Sequence, residues 1–106
     1  MNMKAFFTIL LVVLLVGCEA LKTGGVTFSG GDGSSFEQAV IISGASGESS
    51  GIRAEHVWLR EHYPGCKLTF QSLRGASGRA YDKMDIVTID GQPQSIYFDI
   101  TSFFGR

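Results

Sequence analysis

The sequence predicts a small α+β domain in which one helix packs on a single, mostly antiparallel sheet, in the order β-α-β-β-β. Residues 51–63 bring Ile52, Leu59 and Tyr63 within about 40° of one another at about 100° per residue, as on one side of a helix. A β-branched run at residues 39–42 is typical of a strand buried on both faces. Three further segments have strand composition or alternation and are bounded by turn residues: 66–73, 81–90 and 95–100.

The first strand and the helix follow from local signals. Residues 39–42 (AVII) form the predicted strand, and the Gly/Ser-rich loop after it supplies Ser49 and Ser50, either of which can cap a helix. Pro64 disfavours the helical conformation at the residue before it, and Gly65 lets the chain leave the helix. The helix is therefore predicted to end just before this pair.

The last two predicted strands, 81–90 and 95–100, form a hairpin in which Asp90 pairs with Ser95. In this register the core face carries Val87, Ile89, Ile96, Phe98 and Ile100. The open face carries Met84, Ile86, Thr88 and Tyr97, with Asp99 beside them. Such an amphipathic face is typical of a partner-binding surface. Alternatively, another segment, such as residues 26–28, covers it.

The N-terminus predicts secretion. Residues 5–16 are almost wholly apolar and follow one positive charge at Lys4, but they are too short to span a bilayer, which takes about 20 residues. Leu15-Val16-Gly17-Cys18 resembles the lipobox of bacterial lipoproteins. The resemblance implies cleavage after Gly17 and a lipid on Cys18. In the sorting pattern of that family, Glu19 in place of Asp favours the outer membrane, facing the periplasm, over the inner membrane.

Three regions are therefore expected: a signal peptide at residues 1–17, a lipidated cysteine with a Gly/Ser-rich tether at 18–35, and a single domain at 36–106. Ser34 and Glu37 have the spacing of a capping box, so one helical turn could start the domain. Pairing of residues 26–28 onto a sheet edge is the alternative, and it would move the boundary earlier.

No motif predicts a metal site. His56 and His62 are six residues apart, about 240° around a helix, whereas two helical ligands need a spacing of three or four. Cys66 lies beyond the Pro-Gly break. Its alternation with Leu68 and Phe70 favours a buried thiol on a strand face, without an intramolecular disulfide partner if Cys18 is acylated.

Catalysis and nucleotide binding are also disfavoured. The loop at 44–51 lacks the Gly-Lys-Ser/Thr that a phosphate-binding loop needs at a helix start, and the serines lack a nucleophile elbow. The aspartates of the hairpin are scattered, and no two are forced into one cleft: Asp82, Asp85, Asp90 and Asp99. A formal net charge of −1 offers nothing to neutralise nucleic-acid phosphates. No catalytic residue, metal or cofactor is expected.

The C-terminal run Tyr97-Phe98-Asp99-Ile100, followed by Phe103-Phe104-Gly105, resembles small uncharacterised bacterial domains over residues 33–106. That resemblance supports the fold and implies no activity; Phe103 and Phe104 are expected to dock on the core. The sequence therefore predicts a lipid-anchored envelope protein, not an enzyme, whose domain binds a protein or cell-wall partner in an accessory or inhibitory role. A small-ligand or metal-binding periplasmic module is the alternative.

Overall fold

The computed structural model describes residues 25–106 as one five-stranded sheet with one helix. The elements are β1 (Thr27–Gly30), β2 (Val40–Ser43), α1 (Glu48–His62), β3 (Lys67–Ala76), β4 (Arg79–Val87) and β5 (Pro93–Asp99). The order across the sheet is β1-β2-β5-β4-β3, and β2 and β5 form its parallel pair. The predicted α+β class is confirmed. The predicted signal peptide, Cys18 and the first part of the tether lie outside the described residues.

The sheet begins earlier in the chain than residue 36. β1 pairs antiparallel with β2, with Phe28 opposite Ile42, so the alternative of an added edge strand describes the structure. The capping box at Ser34 forms no helical turn. Instead the backbone N–H of Gln38 donates to the Ser35 hydroxyl at 3.1 Å and closes a turn. The domain therefore includes the second half of the predicted tether.

Helix α1 packs on the sheet through a different line of residues from the one predicted. Ala54, Trp58 and Leu59 are buried, and the Trp58 ring meets Phe98 of β5 edge-on, with ring centres 5.5 Å apart. Leu59 was predicted to be buried, whereas Ile52 is 42% exposed. The buried sector is centred between Ala54 and Leu59, which leaves Ile52 on the flank that faces β3.

The hairpin register differs from the prediction by five residues. Val87 pairs with Pro93 and not with Phe98, because the chain turns earlier, through residues 88–92. The Thr88 hydroxyl accepts the backbone N–H of Gln92 at 3.0 Å and closes this turn. An odd shift turns every side chain of one strand to the opposite face. The predicted core face is therefore correct for β5 and inverted for β4.

This inversion overturns the predicted binding face. Met84 and Ile86 are 0% and 1% exposed and belong to the core beneath α1. Thr88 lies in the turn, and Tyr97 lies on the other face of the sheet, where the Phe36 ring covers it at 4.7 Å. The four residues do not form one surface. Ile89, which was predicted to be in the core, is 81% exposed beyond the end of β4.

The C-terminal turn closes the domain against the start of α1. Phe103 is buried as predicted, but Phe104 is half exposed. Gly51 lies directly against the Phe103 ring, and a Cβ at this position would collide with it. The Glu48 carboxylate accepts the backbone N–H of Gly105 at 2.8 Å. The helix can therefore approach the turn only because residue 51 has no side chain.

Candidate functional site: an open strand edge above a buried carboxyl pair

Strand β3 is the long open edge of the sheet. It ends the strand order, so within residues 25–106 its outer side has no neighbouring strand. All ten of its residues are exposed or half exposed, and they include three exposed large apolar side chains: Leu68, Phe70 and Leu73. A β-bulge interrupts the pairing with β4 between Leu68 and Phe70. The outer edge presents backbone N–H and C=O groups that can pair with an added strand.

The exposure of β3 follows from where α1 lies. The helix packs over β2 and β5, and its Glu55 reaches β4, so the helix-side face of β3 stays uncovered. The opposite edge of the sheet is different, since β1 has only four residues and includes Gly30. Short edge strands are a common protection against unwanted pairing, and β3 lacks that protection.

Cys66, just before β3, is half buried and packs against the core. The alternation that predicted its burial fails for the two apolar residues after it, because Leu68 and Phe70 are exposed at the open edge. The thiol is therefore partly covered by the core.

A cavity of about 210 Å³ lies on the helix side of β3, between α1 and the C-terminal turn. Its walls are mostly apolar, and its polar groups include the carboxylate of Asp82 and the amide of Gln71. It is lined by Glu48, Ile52, Gln71, Leu73, Asp82, Ile100, Phe103 and Phe104. None of these is basic. A second cavity, of about 450 Å³ at the β3–β4 turn, shares Leu73 and Phe104 with it.

Asp82, in the wall of this cavity, and the neighbouring Glu55 form a pair of buried acids. Glu55 of α1 is 0% exposed and Asp82 of β4 is 7% exposed. Neither oxygen of the Glu55 carboxyl accepts a hydrogen bond from the described part of the chain. Burial, and then the neighbouring Asp82 carboxylate, raise the pKa of Glu55 to about 10. At neutral pH Glu55 is therefore a neutral acid next to Asp82.

The acid pair has no cationic partner in the described residues. The Gln71 amide donates to Asp82 Oδ2 at 3.4 Å, a long hydrogen bond. The nearby basic side chains are engaged elsewhere, since Arg79 pairs with Asp99 at 2.6 Å and Lys83 pairs with Asp85 at 3.2 Å. An unpaired charge in a core is costly, so the proton on Glu55 takes the place of a counter-ion.

The residues considered for metal binding do not converge. The His62 ring stacks on Trp58 with centres 3.8 Å apart, and its Nδ1 lies 3.0 Å from the Trp58 carbonyl oxygen. Trp58 and His62 line a separate cavity of about 410 Å³ beside β1. Among residues 25–106, no group of three or more His, Cys, Asp or Glu side chains could hold a metal ion.

Sequence reasoning missed the Glu55–Asp82 pair. The hairpin aspartates looked scattered, and the partner of Asp82 is 27 residues away, on the helix. One signal was available: Glu55 lies between Trp58 and Leu59 in angle around α1, so a helix that buries both of these must also bury an acid. The predicted buried side of the helix, defined by Ile52, Leu59 and Tyr63, did not include Glu55, so its burial was not expected.

No protein family matches this chain, and no curated protein or solved structure has significant similarity to it. In residues 25–106 no helix combines the length and apolar character needed to cross a membrane.

Proposed function

We propose that this chain is a lipid-anchored cell-envelope protein whose domain binds an extended segment of a partner protein along β3. The lipobox resemblance at Leu15–Cys18 supports the anchor and the envelope location. The observation that carries the binding function is the ten-residue open edge of β3, with exposed apolar side chains and a cavity beside it. The role is accessory or inhibitory, exerted by holding the partner.

The geometry of β3 suits strand addition. An added strand gains affinity from main-chain hydrogen bonds and specificity from pockets for alternate side chains. On the helix side, its side chains meet the cavity walls formed by Ile52, Leu73 and Phe104. On the other side they lie beside Phe70, which is 62% exposed. The edge of β3 thus supplies both main-chain hydrogen bonds and contacts for the side chains of an added strand.

The sequence of β3 also favours pairing of its edge with another strand over exposure of that edge to solvent. Its central residues, 68–73 (LTFQSL), carry no charge, and Lys67 and Arg74 flank them. Edge strands that must stay unpaired usually carry charges or proline in the middle. An uncharged edge with exposed Leu and Phe is the type that pairs with another chain.

A small-ligand module is the second candidate, and the cavity of about 210 Å³ with the Asp82 carboxylate favours it. In that function, a small cation or polar molecule would fill the cavity without using the β3 edge. The two candidates differ in whether the outer edge of β3 is covered when the site is occupied.

Site-specific photo-crosslinking in the protein's own membranes tests the proposal. Benzoylphenylalanine replaces Phe70 in the full-length chain, and in a matched control it replaces Ile89, which is also apolar and exposed but lies outside β3. We expect a crosslinked partner from position 70 and none from position 89. Mass spectrometry of the product should map the crosslink to one continuous segment of the partner.

A second variant tests the edge itself. Leu68→Lys places a charge on β3, away from the cavity lining, and should abolish the position-70 crosslink while leaving the melting temperature nearly unchanged. Equal crosslinking from positions 70 and 89, or a crosslink at position 70 that survives Leu68→Lys, would overturn binding along β3.

A further inference from the structure

We propose that the cavity between α1, β3 and the C-terminal turn binds the alkylammonium group of a lysine in the added strand, with Asp82 and Glu55 as its counter-ions. This inference rests on the proposed function, because it names the chemistry that the partner segment must carry. It accounts for two buried acids that have no cationic partner within residues 25–106.

The carboxyl pair is placed to receive such a group. Asp82 lines the cavity, whereas the neighbouring Glu55 is fully buried and does not line it. Gln71 holds one Asp82 oxygen, Oδ2, from the β3 side. Gln71 leaves the other Asp82 oxygen open on the cavity side, where it can accept from an ammonium group.

The apolar walls of the cavity favour a side chain whose charge is carried at the end of a chain of methylene groups. Ile52, Leu73 and Phe104 are apolar and partly exposed at its rim, so they can cover methylene groups. A lysine has four of these and a compact charge, whereas the arginine head is a planar fork with five donors. The acids at the inner end and the apolar rim therefore favour lysine.

Charge complementarity extends to the rim. Glu48 lines the same cavity at the start of α1, and no basic residue among those described lines it. A lysine entering this site meets only acidic, amide and apolar groups. A neutral side chain at the same strand position would leave the Asp82 carboxylate without a cation, and an acidic one would be repelled by it.

Binding requires a proton to leave. In the empty site Glu55 is protonated, and among residues 25–106 Asp82 from β4 is the one charged group that acts on its pKa, with neutral Gln71 bonded to Asp82 from β3. When an ammonium group enters with its positive charge, the Glu55 carboxyl loses its proton to solvent. The net charge of the site is then the same before and after binding. Up to one proton is released for each lysine bound, and affinity rises with pH in the range where free Glu55 is protonated.

The test uses isothermal titration of the full-length lipoprotein in detergent. The probes are two nine-residue peptides of alternating threonine and valine, one with lysine and one with norleucine at its centre. We expect the lysine peptide to bind at least tenfold more tightly. Titration in two buffers of different ionisation enthalpy should show proton release with the lysine peptide only. Asp82→Asn should remove the difference between the peptides, and Glu55→Gln should abolish the proton release.

Further titrations separate the lysine site from binding of a strand along β3. Leu68→Lys should weaken both peptides equally, while n-butylammonium, a free analogue of the lysine side chain, should still bind and n-butanol should not. Equal binding of the two peptides would overturn the lysine site and leave strand addition standing. Binding of n-butylammonium without either peptide would overturn strand addition and with it the lysine of an added strand as the occupant.

Discussion

Replacement of Glu55 by glutamine should make the domain more stable at neutral and alkaline pH and should remove much of its pH dependence. Glu55 is fully buried, and its pKa is raised from 4.5 to about 10, first by desolvation and then by Asp82. Glutamine has nearly the same shape and can donate its amide N–H to Asp82. It keeps the contact and removes the proton that the acid must hold.

The sign and size follow from proton linkage. Above pH 4.5 unfolded Glu55 is ionised, whereas the folded state keeps the proton until the pH approaches 10. This contribution to stability is complete below pH 4.5 and is lost as the pH rises, with a slope of about 1.4 kcal/mol per pH unit. From pH 6 to pH 9 the wild-type free energy of unfolding should fall by about 4 kcal/mol relative to Glu55→Gln.

Urea unfolding followed by circular dichroism at pH 6, 7, 8 and 9 measures this difference. Glu37→Gln is the matched control, since Glu37 is an exposed glutamate outside the core, and its pH slope should equal that of the wild type. Parallel pH profiles for wild type and Glu55→Gln would refute the reasoning, because they would show that Glu55 carries the same charge in the folded and unfolded states.

Three further changes test the packing of the core, the Arg79–Asp99 ion pair and the lipid anchor. Leu59→Ala should cost about 2–5 kcal/mol because it empties a buried position, while Arg60→Ala, on the exposed side of α1, should change the melting temperature little. Burial raises the pKa of Asp99, whereas its hydrogen bonds, of which that from Arg79 has the largest effect, lower the pKa. The hydrogen bonds outweigh burial, so the pKa of Asp99 lies below its usual value. Asp99→Asn should therefore destabilise the domain in urea unfolding at pH 7 by about 1–3 kcal/mol, and this deficit should shrink as the pH falls through the folded-state pKa of Asp99. Cys18→Ala should leave an unprocessed, unlipidated precursor in intact-mass analysis, and a processed wild type without lipid at Cys18 would contradict the lipobox interpretation.

Local signals in the sequence were enough for the type of most elements. The helix predicted at residues 51–63 occurs at Glu48–His62, and it ends before Pro64 because proline restricts the residue that precedes it. The strands at residues 39–42, 66–73, 81–90 and 95–100 all occur with shifted ends. The core side of β5 was also predictable, since Ile96, Phe98 and Ile100 alternate without interruption.

The candidate site needed the tertiary structure. Nothing in residues 66–73 shows that this strand lies at the edge of the sheet, because edge position depends on the order in which all strands pair. The acid pair joins Glu55 to a residue 27 positions later, on another element. Sequence spacing within one helix or one hairpin could not bring them together.

The sequence by itself therefore determined the class of the fold, the type of most elements and the face of β5, because these depend on neighbours within a few residues. The tertiary structure alone decided the face of β4, the recruitment of β1 and the meeting of Glu55 with Asp82. The face of a strand reverses with a one-residue change in pairing, so β4 could not be oriented until its turn at residues 88–92 was known. Once Met84 and Ile86 face α1, Asp82 faces it too, and the acid pair follows.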